Sequence, residues 1–192
     1  MAEIANYVLG YNNFNWSLDD EFNNDEPGSY QKSAIRLEHR ARKLGMEFAY
    51  SGQPIAALGD RLFSSDGKLF GRVFGPGMAA GAHDKQTMRD DFVDALNRTG
   101  TKNFYFSVLA GFIEHLDRVD RSRAQSILNK CLDNPKHSQE LVGLHPVRTF
   151  DEGDLDRCLT ALEAPDDVRA GCIMNFSGDH SMRRFLLRNC WS

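Results

Sequence analysis

The segment that decides the fold is VLAGFIEHLDR, residues 108–118. Its apolar residues recur at intervals of three and four, and with Tyr105 they form one wide stripe of Val108, Leu109, Phe112, Ile113 and Leu116. This spacing is typical of an amphipathic helix with one buried face. The same period is found upstream at Leu37, Ala41, Leu44 and Phe48. Both segments therefore predict helices that pack by one apolar face.

Composition favours helix over strand along the whole chain. Val, Ile and Thr together number 19 of 192 residues, and Leu alone also numbers 19. A sheet needs more β-branched residues to cover its pleated faces. Breaks such as Ser51-Gly52 and the stretch from Gly81 to Asp84 separate the helical segments. The sequence predicts an all-α fold of about ten helices.

Every second predicted helix carries the same four-position apolar signature at i, i+3, i+4 and i+7. The signatures begin at residues 55, 92, 124, 155 and 182, so that successive offsets are 37, 32, 31 and 27 residues, about the length of one helical hairpin. Such a period is the mark of a helical repeat array. A helical bundle without repeats is the alternative.

One of these units has a more specific likeness. Residues 108–118, followed by Asp120 and by AQSILNKCLDNP at 124–135, resemble one unit of HEAT-like or armadillo-like helical repeats. They are similar to helical-repeat segments of large bacterial multidomain proteins of the NTPase and defence types. The likeness is a pattern over residues 30–190 and is residue by residue only over 103–135. It implies an α-α superhelix that serves as a scaffold, and it assigns no catalytic residue.

The predicted organisation is an N-terminal extension with a short helix over residues 1–28 and a repeat domain over residues 29–192. The repeat domain divides into hairpins at 29–63, 67–99, 103–133, 137–163 and 165–191. Repeat arrays need polar end caps, but the C-terminal segment from Phe185 to Trp191 does not look like a polar cap. We therefore expect another chain, a dimer partner or further residues of a longer polypeptide to cover this end.

A column of basic residues emerges from the repeat alignment. It lies one residue before the last core position of each second helix and contains Arg61, Arg98, Lys130 and Arg188, with Ala161 as the exception and Arg184 nearby. Basic residues in a last helical turn complement the helix dipole and cap carbonyl groups. Stacked helices would also align them as a ladder that binds an acidic ligand, a nucleic-acid backbone or an acidic partner helix.

Other motifs have structural interpretations. Gly75 to Ala80, GPGMAA, fits the dinucleotide string G-x-G-x-x-G/A but lacks the strands that such a fold requires, so we interpret its small residues as a close helix contact. The cysteines and histidines lack metal-ligand spacing, and we expect buried thiols, no metal and no cofactor. Asp120, Glu152 and Asp166 are predicted to cap helix N-termini.

The net charge of −4 and the pI near 5.9 give no overall attraction to nucleic acid or anionic membranes. The start of the chain has no signal-peptide pattern, so we expect a cytoplasmic location away from membranes. The favoured function is a non-enzymatic scaffold that binds a protein partner or the remainder of a larger chain, with a homodimer through the C-terminal helix as one form. The alternatives are a nucleic-acid-binding repeat protein similar to helical-repeat DNA glycosylases, and a helical bundle with an enclosed apolar pocket for a small ligand.

Overall fold

The computed structural model describes residues 4, 8, 29–63, 70–98, 107–132 and 151–162. This part of the chain is helical and holds no strand, which confirms the all-α class for these residues. Its elements are α1 (Ser29–Tyr50), two 3₁₀ turns (Ile55–Leu58 and Asp60–Phe63), α2 (Gly71–Gly81), α3 (Lys85–Arg98), α4 (Ser107–Val119), α5 (Arg121–Leu132) and α6 (Glu152–Leu162). The prediction of about ten helices extends to residues outside this part and stays a prediction.

Helix α1 follows the apolar spacing of its sequence. Leu37, Ala41, Leu44 and Phe48 are all buried. The helix ends before Gly52, whose positive φ of 67° is readily adopted only by glycine. The Ser51 hydroxyl donates a hydrogen bond to the Phe48 carbonyl at 2.6 Å and satisfies one acceptor of the last turn. The predicted break at Ser51-Gly52 is confirmed.

Helix α2 packs between α1 and α4 so closely that the backbones touch. A Cβ on Gly75 would overlap the carbonyl oxygen of Val108 in α4 and come within 2.6 Å of the Phe112 nitrogen. A Cβ on Gly77 would overlap the carbonyl oxygen of Arg42 in α1. The GPGMAA string therefore lies inside a helix, where its glycines permit close packing on two sides, as the sequence predicts.

A second row of elements packs alongside this one. The first 3₁₀ turn contacts α3, α3 contacts α5, and α5 contacts α6. Most aligned core positions of this row that the structure describes are buried: Ile55, Leu58, Leu62, Phe92, Ala124, Ile127, Leu128 and Cys158. The thiol of Cys158 is fully buried, as predicted, whereas Cys172 and Cys190 lie outside the described residues.

The predicted inward face is wrong at two places. Gly59 has a φ of 66° and is exposed, because residues 55–63 form two 3₁₀ turns that meet at this glycine and not one α-helix. In α6 the buried side chains are Asp154, Arg157 and Cys158, while Leu159 is 39% exposed. The helix is thus rotated from the predicted orientation, because Asp154 and Arg157 pair with each other and can be buried together.

Aspartates cap three helices of the described part. Asp84 accepts hydrogen bonds from the backbone amides of Gln86 and Thr87 at the start of α3. Asp120 accepts one from the amide of Arg123 and caps α5, as predicted. At α6 the predicted cap, Glu152, is wrong because this residue is already the first of the helix.

The cap of α6 is a reciprocal pair of aspartates. Asp151 accepts a bond from the amide of Asp154 at 2.9 Å, and Asp154 accepts one from the amide of Asp151 at 3.0 Å. Two backbone donors of the first turn are thereby satisfied, as in a capping box. Asp166, the remaining predicted cap, lies outside the described residues.

The N-terminal residues that the structure describes also belong to the core. Ile4 and Val8 are buried in the same apolar cluster as the helices, and the Val8 amide donates to the Ile4 carbonyl at 3.0 Å. Within the described ranges, none of the helices combines the length and the apolar character needed to cross a membrane.

Candidate interaction surface

The described residues of the basic column lie in the second row of elements, which contains the 3₁₀ turns, α3, α5 and α6. Arg98 is the last residue of α3 and is exposed, and Lys130 lies in the last turn of α5. Arg61 lies in the second 3₁₀ turn. Arg184 and Arg188 are outside the described residues.

Lys130 is engaged in a link between α3 and α5. Its Nζ donates to Oδ1 of Asp90 at 3.0 Å, and Arg89 donates to the same oxygen at 2.7 Å. The hydrogen bond from Lys130, reinforced by the charge of Arg89, lowers the pKa of Asp90. Arg89 is itself buried and also donates to the Ser126 hydroxyl of α5 at 2.9 Å. Lys130 thus joins two neighbouring helices.

A second polar network joins α5 to α6. Arg121 bonds Asp117, Asp151 and Asp154, at 2.8, 2.6 and 3.3 Å. Arg157 of α6 is paired with Asp154 and donates to the Asn129 amide oxygen at 3.1 Å. Arg89 of α3 and Arg121 of α5 each reach the next helix of their row. They are 32 residues apart, the offset between the second and third aligned signatures.

A cleft opens where the end of α1 meets the start of α3. Its volume is about 190 Å³, and its lining residues are Ala49, Gly52, Gln53, Ala82, His83, Asp84, Thr87, Met88 and Asp91. The floor is apolar because Ala49 and Met88 are buried. The rim is polar and largely exposed, so the cleft is open to solvent and unlike the enclosed apolar pocket of the small-ligand alternative.

Aromatic rings stand at one edge of this cleft. The rings of Tyr50 and His83 lie 4.7 Å apart between centroids, and both residues are exposed. Asp84 lines the cleft and remains anionic at neutral pH, because hydrogen bonds from Thr87 and Gln86 lower its pKa. The cleft thus combines an apolar floor, a carboxylate and an aromatic rim.

Three large apolar side chains of α1 face outward: Ile35 is 55% exposed, Met46 47% and Tyr50 69%. We call these residues the α1 strip. They are spaced by 11 and 4 residues, close to whole turns of a helix, and so lie along one line of α1. Tyr50 at the end of this line also borders the cleft through His83.

Sequence reasoning missed both features. The α1 strip had a signal, since Ile35, Met46 and Tyr50 lie off the apolar stripe that predicts the buried face of α1. The cleft had none, because its walls come from the end of one helix, a turn, and the start of another. Such a site exists only once α1 and α3 have been brought together.

The described residues contain no cluster of three or more His, Cys, Asp or Glu that could hold a metal ion. His115 is half-buried in α4, and burial, reinforced by the charges of Arg42, Lys85 and Arg118, lowers its pKa.

Comparisons with protein-family profiles, with curated proteins and with solved structures find no match for this chain.

Proposed function

We propose that this chain is a helical-repeat scaffold that binds a protein partner, or the remainder of a larger polypeptide, along α1. The observation that carries the proposal is the α1 strip. A single exposed apolar residue is ordinary on a protein surface. Met46 and Tyr50 lie one turn apart and form a pair, with Ile35 about three turns away along the same line. Tyr and Met are also enriched at the centres of protein interfaces.

The order of helix contacts supports the scaffold part of the proposal. In one row α1 packs on α2 and α2 on α4, and in the other row the 3₁₀ turn, α3, α5 and α6 pack in sequence. Contacts between successive units in two rows are typical of α-α superhelices. The resemblance of residues 103–135 to a HEAT-like or armadillo-like unit agrees with this arrangement.

The nucleic-acid alternative has weaker support. It needs a column of basic side chains available to phosphate groups, but the ammonium of Lys130 is bonded to Asp90. The α1 strip adds apolar area beside the exposed Lys32, Arg42 and Lys43 of the same helix. Apolar area suits a protein partner better than a phosphate backbone. Nucleic-acid binding stays a prediction from the sequence.

The proposal is tested by capture of partners from extracts of the source cell. The test variant is Ile35→Ser/Met46→Ser, which removes apolar surface without changing net charge. The matched control is Lys43→Ser/Glu47→Ser, which removes an exposed ion pair from the same helix and also preserves net charge. We expect the test variant to lose a protein that wild type and control both capture at equal chain concentration. Identical capture by all three chains would contradict the proposal.

A further inference from the structure

Asp90 and Asp91 are adjacent in sequence but differ in environment. Asp90 is bonded to Arg89 and Lys130 and belongs to the link between α3 and α5. Asp91 is partly buried in the wall of the cleft. Within the described ranges Asp91 has no hydrogen-bond or ion-pair partner. A carboxylate that is partly shielded from water and has no partner gains from pairing with an incoming cation.

The other carboxylate of the cleft is already in use. Asp84 accepts bonds from two backbone amides through Oδ1, and Oδ2 accepts a bond from the Thr87 hydroxyl at 2.8 Å. It adds negative charge to the cleft but has fewer free acceptor sites than Asp91. The described lining includes no Lys or Arg that would neutralise either carboxylate from inside the cleft.

The size of the cleft suits a side chain. Its volume of about 190 Å³ is many times the roughly 10–15 Å³ of such space that one water molecule needs. This is room for one long side chain. The buried Met88 and Ala49 would contact the aliphatic part of such a side chain, and Asp91 would contact its charged end.

We propose that the cleft binds an arginine side chain of the protein partner. This inference rests on the proposed function and names the chemistry of the partner. Arginine fits better than lysine because its planar guanidinium pairs with a carboxylate through two bonds and stacks on aromatic rings. Asp91 supplies the carboxylate, and the stacking surface is the ring of His83, which lines the cleft and lies 4.7 Å from the ring of Tyr50 at the end of the α1 strip. The apolar part of the partner then continues along α1 toward Met46 and Ile35.

The test is a nuclear magnetic resonance titration of the whole chain with acetyl-arginine amide, the citrulline analogue and the lysine analogue. Citrulline has the same shape as arginine without its charge. We expect saturable shifts of the Met88 methyl and the His83 amide with arginine, no response with citrulline, and at least a severalfold weaker response with lysine. Equal responses to arginine and citrulline would overturn the proposal, and equal responses to arginine and lysine would overturn the assignment to guanidinium.

Two variants locate the binding on Asp91. Asp91→Asn should weaken binding of acetyl-arginine amide about tenfold, since a hydrogen bond to a charged group is lost. Asp94→Asn, an exposed position of the same helix outside the cleft lining, removes the same charge and should bind as wild type does. The amide spectra of both variants show whether the fold is kept. Unchanged binding by folded Asp91→Asn, or an equal loss in Asp94→Asn, would overturn the assignment to Asp91.

The outcomes separate this inference from the proposed function. If arginine amide does not bind but capture depends on the α1 strip, the cleft assignment is wrong and the scaffold proposal stands. If arginine amide binds through Asp91 but capture is unaffected by Ile35→Ser/Met46→Ser, the cleft is a site and α1 is not the docking surface.

Discussion

Glycine residues in α2 determine how closely the first row of helices packs. Gly75 and Gly77 face opposite neighbours, and in both directions the adjacent atoms are backbone atoms that cannot move aside independently. Close backbone approach increases the number of favourable van der Waals contacts between the helices. The cost is that glycine in a helix interior is less favourable than alanine by roughly 0.5–1 kcal/mol. At these two positions close packing requires glycine, although helix propensity would favour alanine.

Gly75→Ala should therefore lower the free energy of unfolding, by about 1–3 kcal/mol, because overpacking outweighs the gain in helix propensity. Gly153→Ala in α6 is the matched control, since its nearest neighbours are side-chain atoms of Asp151 and Arg157 at 3.3 and 3.9 Å. The control should change stability by no more than about 1 kcal/mol in either direction. Denaturant unfolding at neutral pH measures both, and a Gly75→Ala chain as stable as wild type would contradict the close packing of α2 and α4.

At the scale of the helix, the start of α3 depends on the charge of its cap. Asp84 has a lowered pKa because Thr87 and Gln86 donate hydrogen bonds to its carboxylate. A lowered pKa in the folded chain means that the ionised form stabilises the fold. This contribution is complete above the pKa of the unfolded chain and is lost as the pH falls through the folded value, below about pH 4.

Asp84→Asn keeps a hydrogen-bond acceptor at this cap and removes its charge. Asparagine caps helices about as well as aspartate, so we expect the variant to melt slightly below wild type at pH 7. The difference should shrink as the pH falls below about 4, because wild-type Asp84 then becomes neutral as well. Melting temperatures of both chains between pH 2.5 and 7 check this; a difference that is constant with pH would show that the charge has no role.

Charged groups link helix α6 to α5. Asp154 is 1% exposed, and it bonds Arg157 of its own helix and Arg121 of α5. Removing one partner from a buried ion pair leaves an uncompensated charge, which is more destabilising than the pair itself is stabilising. The attachment of α6 is therefore sensitive to single substitutions.

We expect Asp154→Asn to lower the free energy of unfolding by about 3–5 kcal/mol. Asp156→Asn is the control, because this residue lies on the exposed side of the same helix, and its effect should stay within about 0.5 kcal/mol. Hydrogen exchange adds local information. In Asp154→Asn the amides of α6 should exchange faster than in wild type, and this increase should be larger than in the other helices. Equal stability of the two variants would show that the network does not hold α6.

At the scale of the whole molecule, two rows of sequentially packed helices predict an elongated particle. A compact globule of 192 residues has a radius of gyration of about 16 Å by the usual scaling. A stack of helical hairpins extends in one dimension and should exceed this value by several Å. Small-angle scattering of the monomer measures it, and a radius near 16 Å would favour a compact helical bundle over the superhelix.

Local features of this protein could be predicted from its sequence. The buried stripes of α1 and α4, the end of α1 at Ser51-Gly52 and the cap at Asp120 all depend on residues within a few positions of one another. The helical period of 3.6 residues and the bonding of cap to first turn are short-range effects. The close packing of α2 could also be predicted, because a helix face made of glycines and alanines has no large side chains to keep neighbouring backbones apart.

Only the tertiary structure decided which polar groups meet. Lys130 reaches Asp90 across 40 residues, and Arg157 reaches Asn129 across 28. These pairs depend on the register in which α3, α5 and α6 stack, and no local pattern specifies that register. With this register, α6 is oriented so that Asp154 is buried. Asp90 contacts Lys130, and Asp91 lies in the wall of the cleft. Identical neighbouring residues therefore have different environments, because the environment of a charge is set by what folding brings beside it.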